Sequence, residues 1–198
     1  MPRTQEENER IRKAAKENIC SAAMEIFIEK GYHGAAIDDI AKRAGVSKGL
    51  MYNYYKGKEE LLAEMVNKRI EEIKHVMQTA AALESPTDQL MHIIDGALNN
   101  VKRRPKEYKF YLHLQTQPEE DKVLSQYSQM LNDAMAEQFE IQCGMFAMLG
   151  GAESRIRSLY FSSTLHGTML MLSTYPDKYP VDEIKEHIIR QFCGRITG

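Results

Sequence analysis

The chain holds 198 residues, 43% hydrophobic and 27% charged, with a net charge of −2, no tryptophan and three cysteines. That composition reads as a soluble globular protein, and no apolar run approaches the roughly 18 residues of a membrane span. Twenty charge-rich leading residues do not read as a signal peptide, so a cytoplasmic protein without structural disulfides is expected.

Charge is unevenly spread. Residues 1–58 carry 11 basic against 8 acidic side chains, a net of +3, and residues 59–198 carry 15 against 20, a net of −5. A basic front and an acidic back suit a protein that meets phosphate with one end.

Taken in order, the elements read as helices throughout, about nine of them, with no strand-like alternation. From Arg10 to Lys30, residues Ile11, Ala15, Ile19, Ala22, Ala23, Ile26 and Phe27 form a three-four stripe closed by Gly31. Arg3, Arg10, Arg12 and Lys13 form either an arm ahead of this helix, lying on a nucleic-acid backbone or in a minor groove, or a charged tail. Ile37, Ile40, Ala41 and Ala44 mark a short second helix that ends at Gly45. Ser47 then caps a third, running through Tyr55 to a break at Gly57.

The turn Ala44-Gly45-Val46-Ser47 has the chemistry of a helix-turn-helix. A small residue sits at the crossing, glycine accepts the left-handed backbone, valine fills the gap and serine caps. Met51 and Tyr55, four apart, face inward; Lys48, Gly49, Leu50, Asn53 and Tyr54 face outward, with Tyr52 at the edge. Lys48 and Tyr52 suit phosphate, Gly49 permits close backbone approach, Asn53 suits a base edge, and Leu50 suits a thymine methyl. Ser47 stands where a phosphate meets the helix start.

The spaced residues Gly31-Tyr32, Ala35-Ala36-Ile37, Ile40-Ala41, Ala44-Gly45-Val46-Ser47, Gly49, Tyr52, Tyr54-Tyr55, Lys58-Glu59 and Leu61 together resemble the DNA-binding domain of the tetracycline-repressor family. The resemblance covers roughly Arg10 to Val66. It implies an all-α homodimer, with a DNA-binding domain at 1–57 and an effector-binding and dimerisation domain at 58–198. It implies DNA contacts from Lys48, Gly49, Tyr52, Tyr54 and Lys58, and operator-dependent roles for Leu50 and Asn53. Ala35-Ala36 depart from the family's usual hydroxyl pair, removing a helix cap and one phosphate contact. Tyr55 stands where phenylalanine is usual, so its hydroxyl needs a partner.

Beyond Lys58 the sequence says less. A helix runs from Lys58 to about Ala82, another follows Ser85-Pro86, a third lies between Pro105 and Pro118, and a long one ends at Gly150-Gly151. Two more occupy about 153–174 and 181–196. Lys102, Arg103 and Arg104 read as a solvated helix end complementing the dipole. Tyr111, His113, Phe139 and His166 are candidate effector-binding residues for an apolar or aromatic molecule, though ordinary core packing is the simpler reading of each.

Ser162, Ser163 and His166 invite a nucleophile-and-base reading, but no glycine elbow or orienting carboxylate accompanies them. A close-packed seam is favoured instead. Ser163, Gly167 and Leu170, with Ile184, Ile188 and Phe192 on the last helix, are the expected dimer contacts. No cofactor and no metal site is expected. The resulting expectation is a transcriptional repressor, not an enzyme, released from a palindromic operator by a small molecule. An activator, a nucleoid-associated protein, and a helical ligand carrier or enzyme with a vestigial motif are the alternatives.

Overall fold

The computed structural model describes residues 4–150 and 153–193, and these form nine α-helices with no strand among them. They are α1 (Gln5–Gly34), α2 (Ile37–Ala44), α3 (Lys48–Tyr54), α4 (Lys58–Ala81), α5 (Pro86–Arg103), α6 (Pro105–Gln115), α7 (Lys122–Met148), α8 (Ser154–Thr174) and α9 (Val181–Phe192). The chain makes two compact units, dividing between Asn67 and Lys68 within α4. The expected boundary lay at 57/58. The first turns of α4 bury Leu61, Leu62, Met65 and Val66, which gives the N-terminal unit a longer helix than its motif alone.

In the N-terminal unit, α1 begins on the hydroxyl of Thr4, which accepts from the Glu7 amide. Arg10, Arg12 and Lys13 are therefore exposed helical residues rather than an arm ahead of the helix, and Arg3 lies outside the described residues. Gly31, at φ 69° and ψ 163°, breaks the helical run within α1, a geometry that glycine reaches without a Cβ penalty. Ile19, Ala22, Ala23, Ile26 and Phe27 form one wall of the core, against Ile40, Ala41, Ala44, Met51 and Tyr55.

In the C-terminal unit, α5, α7, α8 and α9 share one core built from Leu90, Ile94, Phe146, Phe161, Leu165 and Phe192. The Phe192 ring meets Phe146, Phe161 and Tyr160 edge-on, with centroids 6.3, 5.3 and 5.2 Å apart. Such tilted contacts match the aromatic quadrupoles. Among the described residues no helix is long and apolar enough to cross a membrane, and no disulfide joins the cysteines.

Candidate nucleic-acid interface

The turn between α2 and α3 is fixed from three sides. Gly45 takes the left-handed conformation (φ 66°, ψ 28°), and its amide donates back to Lys42 and Ala41 carbonyls. The Val46 amide reaches the Ala41 carbonyl at 3.0 Å, closing the helix end. From α1, the Asn18 amide nitrogen donates to the Ala44 carbonyl at 2.7 Å. Arg43 forks onto Glu29 at 2.8 and 3.0 Å and reaches Glu25 at 2.7 Å.

Helix α3 starts on Ser47, whose hydroxyl accepts from the Leu50 amide at 3.1 Å. Met51 and Tyr55 are fully buried beneath it. Lys48, Gly49, Leu50, Tyr52 and Asn53 are exposed together on the opposite side. Tyr52 is half exposed. Tyr54 is partly buried rather than outward, because three residues on from Met51 it lies only about 60° around the helix from it.

The Tyr55 hydroxyl finds Cys20 Sγ at 3.6 Å, and burial, followed by this contact, lifts its phenol far above the ordinary range. Lys48 pairs with Asp38 of α2, which raises its ammonium pKa. Lys58, for which a DNA contact is implied, sets its ammonium against the end of α1. Its ammonium donates to the Tyr32, His33 and Ala35 carbonyls at 2.8, 3.0 and 3.1 Å, and lies 4.8 Å from the Tyr32 ring centroid. Lysine has three donors, and here all three are used. Ala36 caps α2 with no side-chain bond, as its lost hydroxyl predicts.

The C-terminal unit contains a cavity of about 550 Å³ walled by α4, α5, α6, α7 and α8. Tyr111 and His166 line it; His113 and Phe139 do not. His113 is exposed, and Phe139 lies under the Arg155 guanidinium, 5.0 Å from its ring centroid. Spacing alone does not tell which face of α6 or α7 looks inward. Tyr108, Met135, Met169, Arg69, Arg103 and Arg104 also line the cavity, and the three arginines were not expected there from the sequence. Arg103 and Arg104 are rim residues of this cavity, not simply a solvated helix end.

The His166 ring nitrogen Nδ1 lies 2.8 Å from the Ser162 carbonyl, which can only accept, and Ser162 Oγ donates to Gln142 at 2.8 Å. The Ser162 hydroxyl is thus engaged by an amide, and His166 Nδ1 by a backbone carbonyl.

Of the expected dimer residues, Ser163, Gly167 and Leu170 are exposed, and Ile184 is half-buried against the core. Ile188 and Phe192 are core residues of their own chain, at 2% and 3% exposure, and leave no surface for a second subunit. The apolar residues that α8 does expose are Ile156, Leu159, Tyr160, Leu170 and Met171, a stripe at three-four spacing that also carries Ser163 and Gly167.

Residues 19–65 match the family profile described as bacterial regulatory proteins, tetR family. The chain is 39% identical over 67 residues to the HTH-type transcriptional activator FasR of Mycolicibacterium smegmatis, covering 34% of this chain and 30% of that protein. It is 40% identical over 52 residues to the fatty acid metabolism regulator protein of Bacillus subtilis, covering 26% of this chain and 27% of that one. The matched segments thus span less than a third of these relatives' lengths.

Solved structures resemble the whole fold. FadR from Bacillus subtilis in complex with stearoyl-CoA superposes with a TM-score of 0.68 at 21% identity, over 91% of this chain and 98% of that one. AibR in complex with isovaleryl coenzyme A and operator DNA gives 0.68 at 15% identity, over 90% and 97%. Residues 19–65 are thus similar to the tetR family of bacterial regulatory proteins.

Proposed function

We propose that the protein is a ligand-responsive DNA-binding transcriptional regulator of the cytoplasm, a homodimeric repressor released from a palindromic operator by a small-molecule effector. One observation carries this reading: a capped helix that exposes Lys48, Gly49, Leu50, Tyr52 and Asn53 together while anchoring itself through Met51 and Tyr55. Lysine and tyrosine bond phosphate, asparagine reads a base edge, leucine meets a thymine methyl, and glycine lets the backbone close in.

The second copy docks on the exposed stripe of α8, where Leu159, Leu170 and Met171 meet their counterparts and Ser163 and Gly167 allow close approach. The effector occupies the cavity in the C-terminal unit. Its apolar depth and arginine rim fit a ligand with a hydrocarbon tail and an anionic head. Stearoyl-CoA in FadR and isovaleryl coenzyme A in AibR are ligands of that kind, so an acyl-CoA is the effector proposed here. Binding favours a state in which the paired recognition helices no longer match successive grooves.

The test begins by selecting bound duplexes from a random DNA pool, then asks which acyl-CoAs release them. Lys48→Ala combined with Tyr52→Phe should abolish operator binding while leaving acyl-CoA affinity in place. Retained operator binding in that double variant would overturn the assignment of α3. A reporter with the operator at its promoter reads the polarity: repression lifted by effector is expected, and activation would reverse that part of the proposal.

A further inference from the structure

Charge around the cavity runs against its surroundings. The chain from residue 59 onward carries a net charge of −5, yet the cavity wall gathers Arg69, Arg103 and Arg104 against a single carboxylate, Glu72. Glu72 is shared between two of them. Its Oε2 lies 3.4 Å from Arg69 Nη1 and its Oε1 lies 3.5 Å from Arg104 Nη1. Arg104 Nη1 is also 3.4 Å from Glu107 Oε2. Among the described residues Arg103 meets no carboxylate.

These separations are long for charge-assisted bonds, which settle near 2.7–2.9 Å. One carboxylate shared between two guanidiniums gives each a single, long bond. An incoming phosphate or carboxylate able to sit among all three arginines would make shorter, forked bonds. Deeper in, Met77, Ile93, Leu131, Met135, Leu165 and Met169 offer only apolar and thioether surface, so a tail can follow the head inward.

We propose that Glu72 is a built-in stand-in for the effector's anionic head, holding Arg69 and Arg104 until that head displaces it. The exchange rests on the effector reading above and adds its trigger. Arg69 and Glu72 belong to α4, whereas Arg104 stands at the junction of α5 and α6. When an anion takes Arg104, the tie between α4 and that junction is cut. Helix α4 begins in the N-terminal unit, so a change in its tethering is available to the DNA-binding end.

A competing carboxylate has a signature that structural damage lacks: removing it tightens ligand binding. Calorimetry on the full chain should compare palmitoyl-CoA, palmitate and CoA alone in the wild type, Glu72→Gln, Arg104→Gln and the double variant. Glu72→Gln should tighten binding by about five- to tenfold, as expected when one opposing charge leaves a partly solvated site. Arg104→Gln should weaken it, and in the double variant the gain should shrink markedly. Glu107→Gln frees Arg104 from its other carboxylate and should show a smaller gain, so the result does not hang on one variant folding well.

A gain confined to palmitoyl-CoA and CoA supports the exchange with phosphate as the head; a gain shared by palmitate supports it with any anion. Equal or weaker binding in both Glu72→Gln and Glu107→Gln, or no binding of any of the three probes, overturns it. Operator release is measured alongside: its failure in the wild type counts against the regulator reading, whereas the affinity change alone decides the exchange.

Discussion

The Lys48 ammonium lies 2.7 Å from Oδ1 and 2.9 Å from Oδ2 of Asp38, across the turn that joins α2 to α3. Both side chains are more than half exposed, so the pair does little for stability. Its importance is positional, because it sets a negative charge beside the lysine proposed to meet phosphate. Asp38→Asn should therefore raise affinity for any duplex severalfold at low salt, with unrelated DNA gaining at least as much as operator. Fluorescence anisotropy on both duplexes checks this, and the gain should fade as added salt screens the charge. An unchanged affinity for unrelated DNA would rule out the electrostatic role.

Lys58 supports a separate prediction. With its donors committed to the end of α1, Lys58→Met should destabilise the N-terminal unit by about 1 kcal/mol, reading three charged but partly solvated bonds conservatively. The salt dependence of operator binding should keep its slope, because no phosphate contact is lost. A slope lower by about one unit would instead show that Lys58 swings onto the DNA backbone.

The difference between what was legible and what was not follows distance along the chain. Gly45, Ser47, Met51 and Tyr55 belong to one continuous stretch, where helical period and capping chemistry name each role before any coordinates are seen. Arg69, Arg104, Met135 and His166 come from three helices and a helix junction, and only folding brings them to one cavity. His113 and Phe139 were expected there because their residue types suit a pocket, but residue type does not orient a helix. The same ambiguity affects α9. Ile188 and Phe192 form an apolar stripe that a partner subunit or the chain's own core would satisfy equally, and the core has them.

That distinction can be measured. Phe192→Ala removes a ring packed against Phe146, Phe161 and Tyr160, and should cost about 3–5 kcal/mol of stability in denaturant melts. Leu170→Glu, on the exposed stripe of α8, should leave each chain folded while weakening self-association at least tenfold by sedimentation. Dimers that persist in Leu170→Glu would move the interface off this face. A mild effect of Phe192→Ala on melting would show its core role to be overstated.

Ala36 gives a prediction of gain. Its backbone already has the extended geometry of a helix cap, at φ −109° and ψ 148°, but no side chain accepts from the first turn of α2. Ala36→Ser should stabilise the N-terminal unit by about 1 kcal/mol through the restored cap. A hydroxyl there would also be available to a phosphate, so DNA affinity should rise for operator and unrelated duplex alike. The two effects separate through Ala36→Gly, since glycine caps nearly as well as the hydroxyl residues but presents no donor. If Ala36→Gly matches Ala36→Ser in melting while only the serine tightens DNA binding, the hydroxyl contacts phosphate. If both variants tighten it equally, the gain comes from a firmer helix-turn-helix, and α2 makes no contact of its own at this position.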